Sequence, residues 1–193
     1  DSALWFTEGV RQGKIARLTV QGDLTEFPLT TTAGGIVAGP DGALWFTDNT
    51  ASKIGRIMAN GKVSEFPFPF SAEGNELTVG PDGNLWFSTD QTVSHQIGRM
   101  TPDGHFTFFS LGTTSSVEQI VNDGNGSLAF TEVEAKRIGI MTTQGAISQL
   151  FSVPQSNAYP YAITMRVSGE YWFTEYGAST ESGMGLIGVL KTN

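Results

Sequence analysis

Short apolar runs alternate with glycine-rich turns along the whole chain, and they do so in a fixed order. One run reads Leu-Trp-Phe-Thr followed by an acidic residue at 4–8 and 44–48, and it recurs in looser form at 85–88, 128–132 and 171–175. Successive Trp positions, or the residue aligned with Trp in the fourth copy, are 40, 41, 43 and 43 residues apart. A repeat of this length predicts one supersecondary unit per copy, stacked against its neighbours.

Three further runs complete each repeat. An Ile-Gly-Arg-like run follows the Leu-Trp-Phe run, a third run follows a glycine turn, and a fourth precedes the next Leu-Trp-Phe run, as at 54–56, 61–67 and 76–79. Asp-Gly turns between such runs are typical of β-hairpins. Four short antiparallel strands in about 42 residues are typical of a propeller blade. The sequence therefore predicts an all-β propeller that spans 1–193 as a single domain or as a fragment of one.

The strand count predicts incomplete first and last blades. With strands lettered A to D from the innermost outward, the chain starts on a B strand and ends on a C strand, with about 4.5 blades present. Two geometries agree with this count: a five-fold arc that lacks one D–A hairpin, and the C-terminal part of a seven-bladed ring. Either leaves an unpaired strand edge, which a second chain or a missing N-terminal region would complete. We expect the tryptophans at the B strands to form blade core, namely Trp5, Trp45, Trp86 and Trp172.

Composition narrows the classes of partner. The chain has 19 acidic against 11 basic residues and a formal net charge of −8, which argues against nucleic acid and anionic membranes. No apolar run reaches the roughly 18 residues of a transmembrane helix. Cysteine is absent, which excludes disulfides, zinc–thiolate sites and cysteine nucleophiles. Low lysine content with abundant Ser, Thr, Asn and Gly favours a secreted protein over a cytoplasmic one.

The segment 39–48, followed by 53–57, resembles the repeat of the virginiamycin B lyase (streptogramin lyase) family. That repeat reads Gly-Pro-Asp-Gly-x-Leu-Trp-Phe-Thr-Glu and then Lys-Ile-Gly-Arg-Ile. The resemblance implies a seven-bladed ring, a natural C-terminus and a missing N-terminal part for this chain. It also implies an enzyme that opens cyclic streptogramin B antibiotics by elimination at an ester, helped by Mg²⁺.

The same resemblance implies positions for the chemistry. The family motif Glu-Pro-His-Gly-Ile is matched by 159–163, so that Tyr159 takes the place of a metal ligand and Tyr161 the place of the general base. Glu175 matches the second metal carboxylate, and Glu118 falls where the family has a substrate-binding histidine. These replacements favour a binding or scaffolding module. The alternative is a lyase or lactone hydrolase that uses Mg²⁺, Glu175 and a base other than the family's histidine.

The two histidines are placed elsewhere. His95 lies in a B–C connection and His105 begins an outer D strand, so neither stands where the family's histidines act.

Carboxylates after the B strands suggest a second hypothesis. Together they form an acidic ring that would gather oxygen ligands for Mg²⁺ or Ca²⁺ at a channel mouth. The competing interpretation is that each carboxylate caps its own B–C turn or pairs with a nearby arginine. The ring consists of Glu8, Asp48, Glu132 and Glu175.

Aromatic and polar residues suggest a ligand at the propeller axis. Tyr159, Tyr161 and Tyr176 cluster near Glu175 and would bind a sugar, a peptide or a flat ligand, unless they pack an interface between blades. The starts of A strands face the axis and would line a polar channel. We therefore expect a small molecule or a peptide there. These channel residues are Asn75, Glu76, Glu118 and Gln119. The connection from 176 to 186 would be a lid or a surface loop.

Overall fold

The computed structural model describes residues 2–8, 13–90, 95–153, 158–177 and 185–192. These residues form eighteen β-strands, as the repeat pattern predicts, and none of them forms a helix able to span a membrane. The strands are β1 Leu4–Glu8, β2 Lys14–Leu18, β3 Leu24–Pro28, β4 Ala33–Ala38, β5 Leu44–Asp48, β6 Lys53–Ile57, β7 Val63–Pro67, β8 Glu73–Val79, β9 Leu85–Asp90, β10 Gln96–Met100, β11 Phe106–Ser110, β12 Val117–Asn122, β13 Ser127–Glu132, β14 Arg137–Thr142, β15 Ile147–Ser152, β16 Ala158–Val167, β17 Glu170–Gly177 and β18 Leu186–Lys191.

The strands form five antiparallel sheets in chain order. The three middle sheets have four strands each, β4–β7, β8–β11 and β12–β15, whereas β1–β3 and β16–β18 have three. The first sheet lacks an inner strand beside β1 and the last lacks an outer strand beside β18 in the described part of the chain. The inner strands β4, β8, β12 and β16 pack side by side. The all-β prediction of four-stranded blades with incomplete ends is confirmed.

The core lies between neighbouring sheets. Trp45 and Trp86 are fully buried, and Trp45 belongs to a cluster with Leu77 and Phe87 of the following sheet. The prediction for Trp172 is wrong, because 39% of that residue is exposed. Its strand neighbours Tyr171 and Phe173 pack toward the preceding sheet, so alternation along the strand turns Trp172 to the opposite, uncovered face. Trp5, in the first sheet, is only half-buried.

Glycine in the Ile-Gly-Arg run allows an aromatic ring to lie against the backbone. A Cβ atom at Gly55 would be 2.0 Å from Cζ of Phe46, the residue paired with it on the neighbouring strand. The same relation recurs in three other sheets, where the pairs are Gly98 with Phe87, Gly139 with Phe130 and Gly188 with Phe173.

Candidate functional site

Each inner strand carries a β-bulge at the same position. In β4, Ala33 pairs with Asp48 and Ile36 with Phe46, so two residues of β4 oppose the single residue Thr47. Such a two-against-one arrangement bends the strand and turns side chains in a new direction. The bulge pairs are Gly34-Gly35 in β4, Asn75-Glu76 in β8, Glu118-Gln119 in β12 and Tyr161-Ala162 in β16.

The residue opposite each bulge is the hydroxyl residue of the Leu-Trp-Phe-Thr run. The Oγ1 atom of Thr131 accepts a hydrogen bond from the Gln119 amide at 3.2 Å and donates one to the Tyr161 carbonyl at 2.8 Å. One hydroxyl thus ties the bulge of its own sheet to the bulge of the next sheet. Equivalent bonds run from Thr7 to the Gly34 carbonyl, from Thr47 to the Asn75 carbonyl and from the Ala162 amide to Thr174.

The four bulge pairs surround one cavity of about 250 Å³ at the propeller axis, here called the axial cavity. Asn49, from the connection after β5, also lines it. The structure therefore brings the expected channel residues together with a tyrosine of the expected aromatic cluster. These five residues are Asn75, Glu76, Glu118, Gln119 and Tyr161.

The axial cavity carries negative charge. Burial, and then the nearby Glu118 carboxylate, raise the pKa of Glu76. The Tyr161 side chain is hydrogen-bonded to Glu118; the charge of Glu118, together with burial and this bond, raises the pKa of the Tyr161 phenol. Among the described residues, those that line the cavity include no lysine, arginine or histidine.

The three tyrosines of the last sheet form one aromatic array. Tyr159 stacks on Tyr176 with ring centroids 5.3 Å apart, and Tyr161 meets Tyr176 edge-on at 5.7 Å. The ammonium group of Lys136 lies 4.7 Å from the Tyr159 ring centroid. Tyr161 and Tyr176 also line a second, largely apolar cavity of about 500 Å³. The expected lid falls largely on 178–184, which lie outside the described residues.

The residues at the positions of the family's metal ligands do not fit a Mg²⁺ ion. Glu175 is 6% exposed, its Oε2 atom has no hydrogen-bond partner among the described residues, and burial raises its pKa. The other position holds the phenol of Tyr159, which is engaged with Tyr176 and Lys136. Mg²⁺ prefers several well-placed oxygen ligands, usually including carboxylates. No group of three or more His, Asp or Glu side chains that could hold a metal occurs within the described ranges.

The other members of the expected acidic ring have local partners. Asp48 accepts hydrogen bonds from the amides of Thr50 and Ala51, both at 2.9 Å, and so caps its own turn. Glu132 binds the guanidinium group of Arg137 through both carboxylate oxygens. Glu8, in the first sheet, is paired in register with Lys14. Neither His95 nor His105 lines the axial cavity or the second cavity.

Part of the axial lining was not predicted from the sequence. Gly34, Gly35, Ala162 and Asn49 were not singled out, because the paired positions share no residue type. A usable signal existed in the spacing. The two residues just before the Ile or Leu of each A strand are the ones that the bulge turns to the axis.

The sequence model of a known protein family matches almost the whole chain. Residues 1–190 match the model of the virginiamycin B lyase family. The chain belongs to this family. Among curated relatives, a virginiamycin B lyase of Bordetella pertussis is 43% identical over 61 residues, which are 30% of this chain and 20% of the relative. One from Nocardia farcinica is 29% identical over 165 residues, 86% of this chain and 57% of the relative. The chain thus spans less than two thirds of these relatives.

Solved structures agree with this membership. Selenomethionine-substituted virginiamycin B lyase from Staphylococcus aureus is 34% identical, with a TM-score of 0.85 over 99% of this chain and 67% of that one. A catalytically inactive His-to-Ala variant of that enzyme, with quinupristin, superimposes with the same TM-score over 98% and 66%. A gluconolactonase from Xanthomonas campestris, 15% identical with a TM-score of 0.67, shares the fold.

Proposed function

We propose that this chain is a ligand-binding propeller of the virginiamycin B lyase family that does not perform the lyase reaction. The observation that supports this most is the raised pKa of Tyr161, the residue that stands where the resemblance places the general base. A base that removes a proton from carbon needs a pKa near the working pH. Tyrosine has an ordinary pKa of about 10, and Glu118 raises that of Tyr161 further.

The axial cavity supports a binding role. It is concave, residues of four strands line it, and these residues include carboxylate, amide and phenol side chains. Small-molecule sites combine such a shape with a few polar groups in fixed positions, in cavities of roughly 300–1,000 Å³. A volume of about 250 Å³ favours a small ligand, or one part of a larger ligand, over a whole macrocycle.

A direct assay tests the loss of lyase chemistry. The chain is incubated with quinupristin and Mg²⁺ beside the Staphylococcus aureus lyase, and ring-opened product is measured by mass spectrometry. We expect the ring-opened product to form no faster with the chain than without any protein. Product formed by the unaltered chain in proportion to its concentration would refute the proposal.

A pair of variants sharpens the same assay. The double variant Tyr159→Glu and Tyr161→His restores both family residues. The matched control is Tyr176→His, which introduces an imidazole in place of the tyrosine whose ring contacts Tyr161. Product from the double variant alone would show that these two positions account for the lost chemistry. Equal product from Tyr176→His would argue against that assignment.

Opening of a cyclic ester is the second candidate function, and one observation favours it. Glu175 is retained at the position of a family carboxylate, and its buried Oε2 atom has no partner among the described residues. If this carboxylate takes part in ester or lactone opening, Glu175→Gln abolishes the activity, with Glu170→Gln on the same strand as the control. Activity that survives Glu175→Gln would rule out this role.

A further inference from the structure

We propose that a cavity between the sheets β12–β15 and β16–β18 binds a small uncharged polyhydroxylated molecule of the size of one sugar ring. This interblade cavity has a volume of about 280 Å³, and none of its described lining residues lines the axial cavity. It is a site in addition to the proposed binding function at the axis and does not depend on it. The lining residues that carry the argument are Asp123, Asn125, Ile140, Gln149 and Tyr171.

The first argument is that the fourth repeat lacks the two side chains that fill this space in the earlier sheets. In the second sheet Trp45 pairs with Arg56, and the guanidinium carbon lies 5.7 Å from the centroid of the indole ring. The same pairing joins Trp5 with Arg17 and Trp86 with Arg99. The corresponding pair in β13 and β14 is Ala129 with Ile140. Both side chains are smaller here, and a cavity remains between the sheets.

The second argument is that polar side chains enter the vacated space. Asp123 closes the same turn as Gly39, because in both turns the amide donates a hydrogen bond to the carbonyl four residues further along. A Cβ atom at Gly39 would lie 2.1 Å from Cδ1 of Trp45, so an aspartate fits this position only where the indole is absent. On the facing sheet, Tyr171 takes the place of the leucine of the Leu-Trp-Phe run, and its hydroxyl donates a hydrogen bond to the Asp123 carboxylate.

The third argument is charge. The buried Asp123 carboxylate accepts hydrogen bonds from the amides of Asn125 and Ser127, both at 2.8 Å, and from the Tyr171 hydroxyl. A carboxylate with three donors is stabilised in its ionised form without a bound cation. The described residues that line the cavity include no lysine, arginine or histidine that would attract an anion. The cavity therefore favours an uncharged ligand.

The fourth argument is the chemistry of the remaining lining. Asn125 and Gln149 are exposed at the cavity, and within the described chain neither side-chain amide makes a hydrogen bond. A carboxamide both donates and accepts, as the hydroxyl groups of a sugar do. Buried Ile140 and the ring of Tyr171 add apolar surface against which the C–H groups of a sugar ring would pack. The volume lies just below the roughly 300–1,000 Å³ of usual small-molecule sites, which favours one ring over several.

A Ca²⁺ ion is the main competing ligand, because Asp123, Asn125 and Ser127 alternate along one turn and carry oxygen atoms. The hydrogen bonds already made by Asp123 argue against it. So does the absence, among the residues described, of any group of three or more His, Asp or Glu side chains that could hold a metal.

The test compares compounds that differ in hydroxyl number and in charge. D-glucose, D-galactose, D-mannose and myo-inositol are titrated into the full chain at pH 7 by ligand-observed NMR, beside cyclohexanol, D-glucosamine, D-glucuronate and CaCl₂. We expect at least one of the four uncharged polyols to bind. Cyclohexanol, which keeps a single hydroxyl, should bind about tenfold or more weakly than that polyol because it loses several hydrogen bonds.

Three results of this comparison would overturn the inference. They are no binding by any of the four polyols, tighter binding of cyclohexanol or of either charged sugar than of every uncharged polyol, and binding of Ca²⁺ that blocks the polyol.

Variants place the binding in the interblade cavity. Gln149→Ala should weaken the polyol about threefold to tenfold, whereas Gln144→Ala should not, because Gln144 is an exposed glutamine of the same sheet outside the cavity. The double variant Asp123→Gly and Ala129→Trp recreates the glycine and tryptophan of the second and third sheets, fills the cavity and should abolish binding.

Urea unfolding shows whether the double variant is folded, and if it is not, the comparison of the two glutamine variants decides alone. Polyol binding that is unchanged in Gln149→Ala, or that persists in a folded double variant, would show that the polyol does not occupy this cavity.

Discussion

The hydroxyl of Thr131 offers the most direct test of how the bulges of neighbouring sheets are joined around the propeller axis. The side chain is fully buried, accepts a hydrogen bond from the Gln119 amide and donates one to the Tyr161 carbonyl. The variant Thr131→Val keeps the shape of the side chain and removes both bonds. It leaves one amide and one carbonyl without a partner at the point where two sheets meet.

The size of the effect follows from these two groups. A buried polar group without a partner costs about 1–3 kcal/mol, and the added methyl group returns roughly 0.8 kcal/mol through burial. We expect Thr131→Val to lower the free energy of unfolding by about 1–5 kcal/mol. Thr131→Ser, which keeps the hydroxyl, should recover most of the loss.

The chain supplies a matched control at Ser88. This residue occupies the same place opposite the β8 bulge, and its buried Oγ atom has no hydrogen-bond partner among the described residues. Ser88→Ala removes no hydrogen bond between described residues, so it should not lower the free energy of unfolding and should raise it if the buried hydroxyl is unsatisfied. Urea unfolding followed by tryptophan fluorescence measures both variants. If Thr131→Val loses no more stability than Ser88→Ala, the hydroxyl does not join the sheets as described.

Two further predictions concern packing and pH. Gly55→Ala places a methyl group against the buried ring of Phe46 and should cost about 1–3 kcal/mol by overpacking; an unchanged urea midpoint would contradict this. Hydrogen bonds from Trp172 and then Arg166 lower the pKa of Glu170 from 4.5 to about 2. Because the folded-state pKa is lowered, the stabilisation is complete above about pH 4.5 and lost as the pH falls toward 2. Between pH 5 and 2 the thermal midpoint should therefore fall more steeply for the unaltered chain than for Glu170→Gln, and parallel curves would count against this role.

Much of the fold was predictable because the pattern that specifies a blade is local. Asp-Gly turns, short apolar runs and the spacing of the Leu-Trp-Phe runs give the eighteen strands and their order without knowledge of distant contacts. The exposure of Trp172 was not predictable in the same way. Its run matches those of Trp45 and Trp86, yet burial requires a neighbouring sheet on that face.

The site was predictable in part, for a related reason. Glu76 and Glu118 were found because the start of an A strand faces the axis. The role of Asp48 followed one of the two alternatives that its position allowed, a cap on its own turn. The bulges themselves were not visible, because their register depends on pairing with another strand and not on the identity of the bulged residues.

The bulges also explain how one scaffold carries different chemistry at its axis. The bonds that hold them join backbone groups to hydroxyls of the B strands, as between the Tyr161 carbonyl and Thr131. The side chain of Gln119 adds one further bond between sheets, from the Ile163 amide at 2.6 Å. The hydroxyl bonds reach only backbone groups of the bulges, which is why glycine, asparagine, glutamate and tyrosine also occupy corresponding positions within this single chain. A tyrosine in place of a histidine at 161 leaves those backbone bonds unchanged. The proposed change from catalysis to binding would therefore require new side chains at the axis and no change in the bonds between the hydroxyls and the bulge backbone.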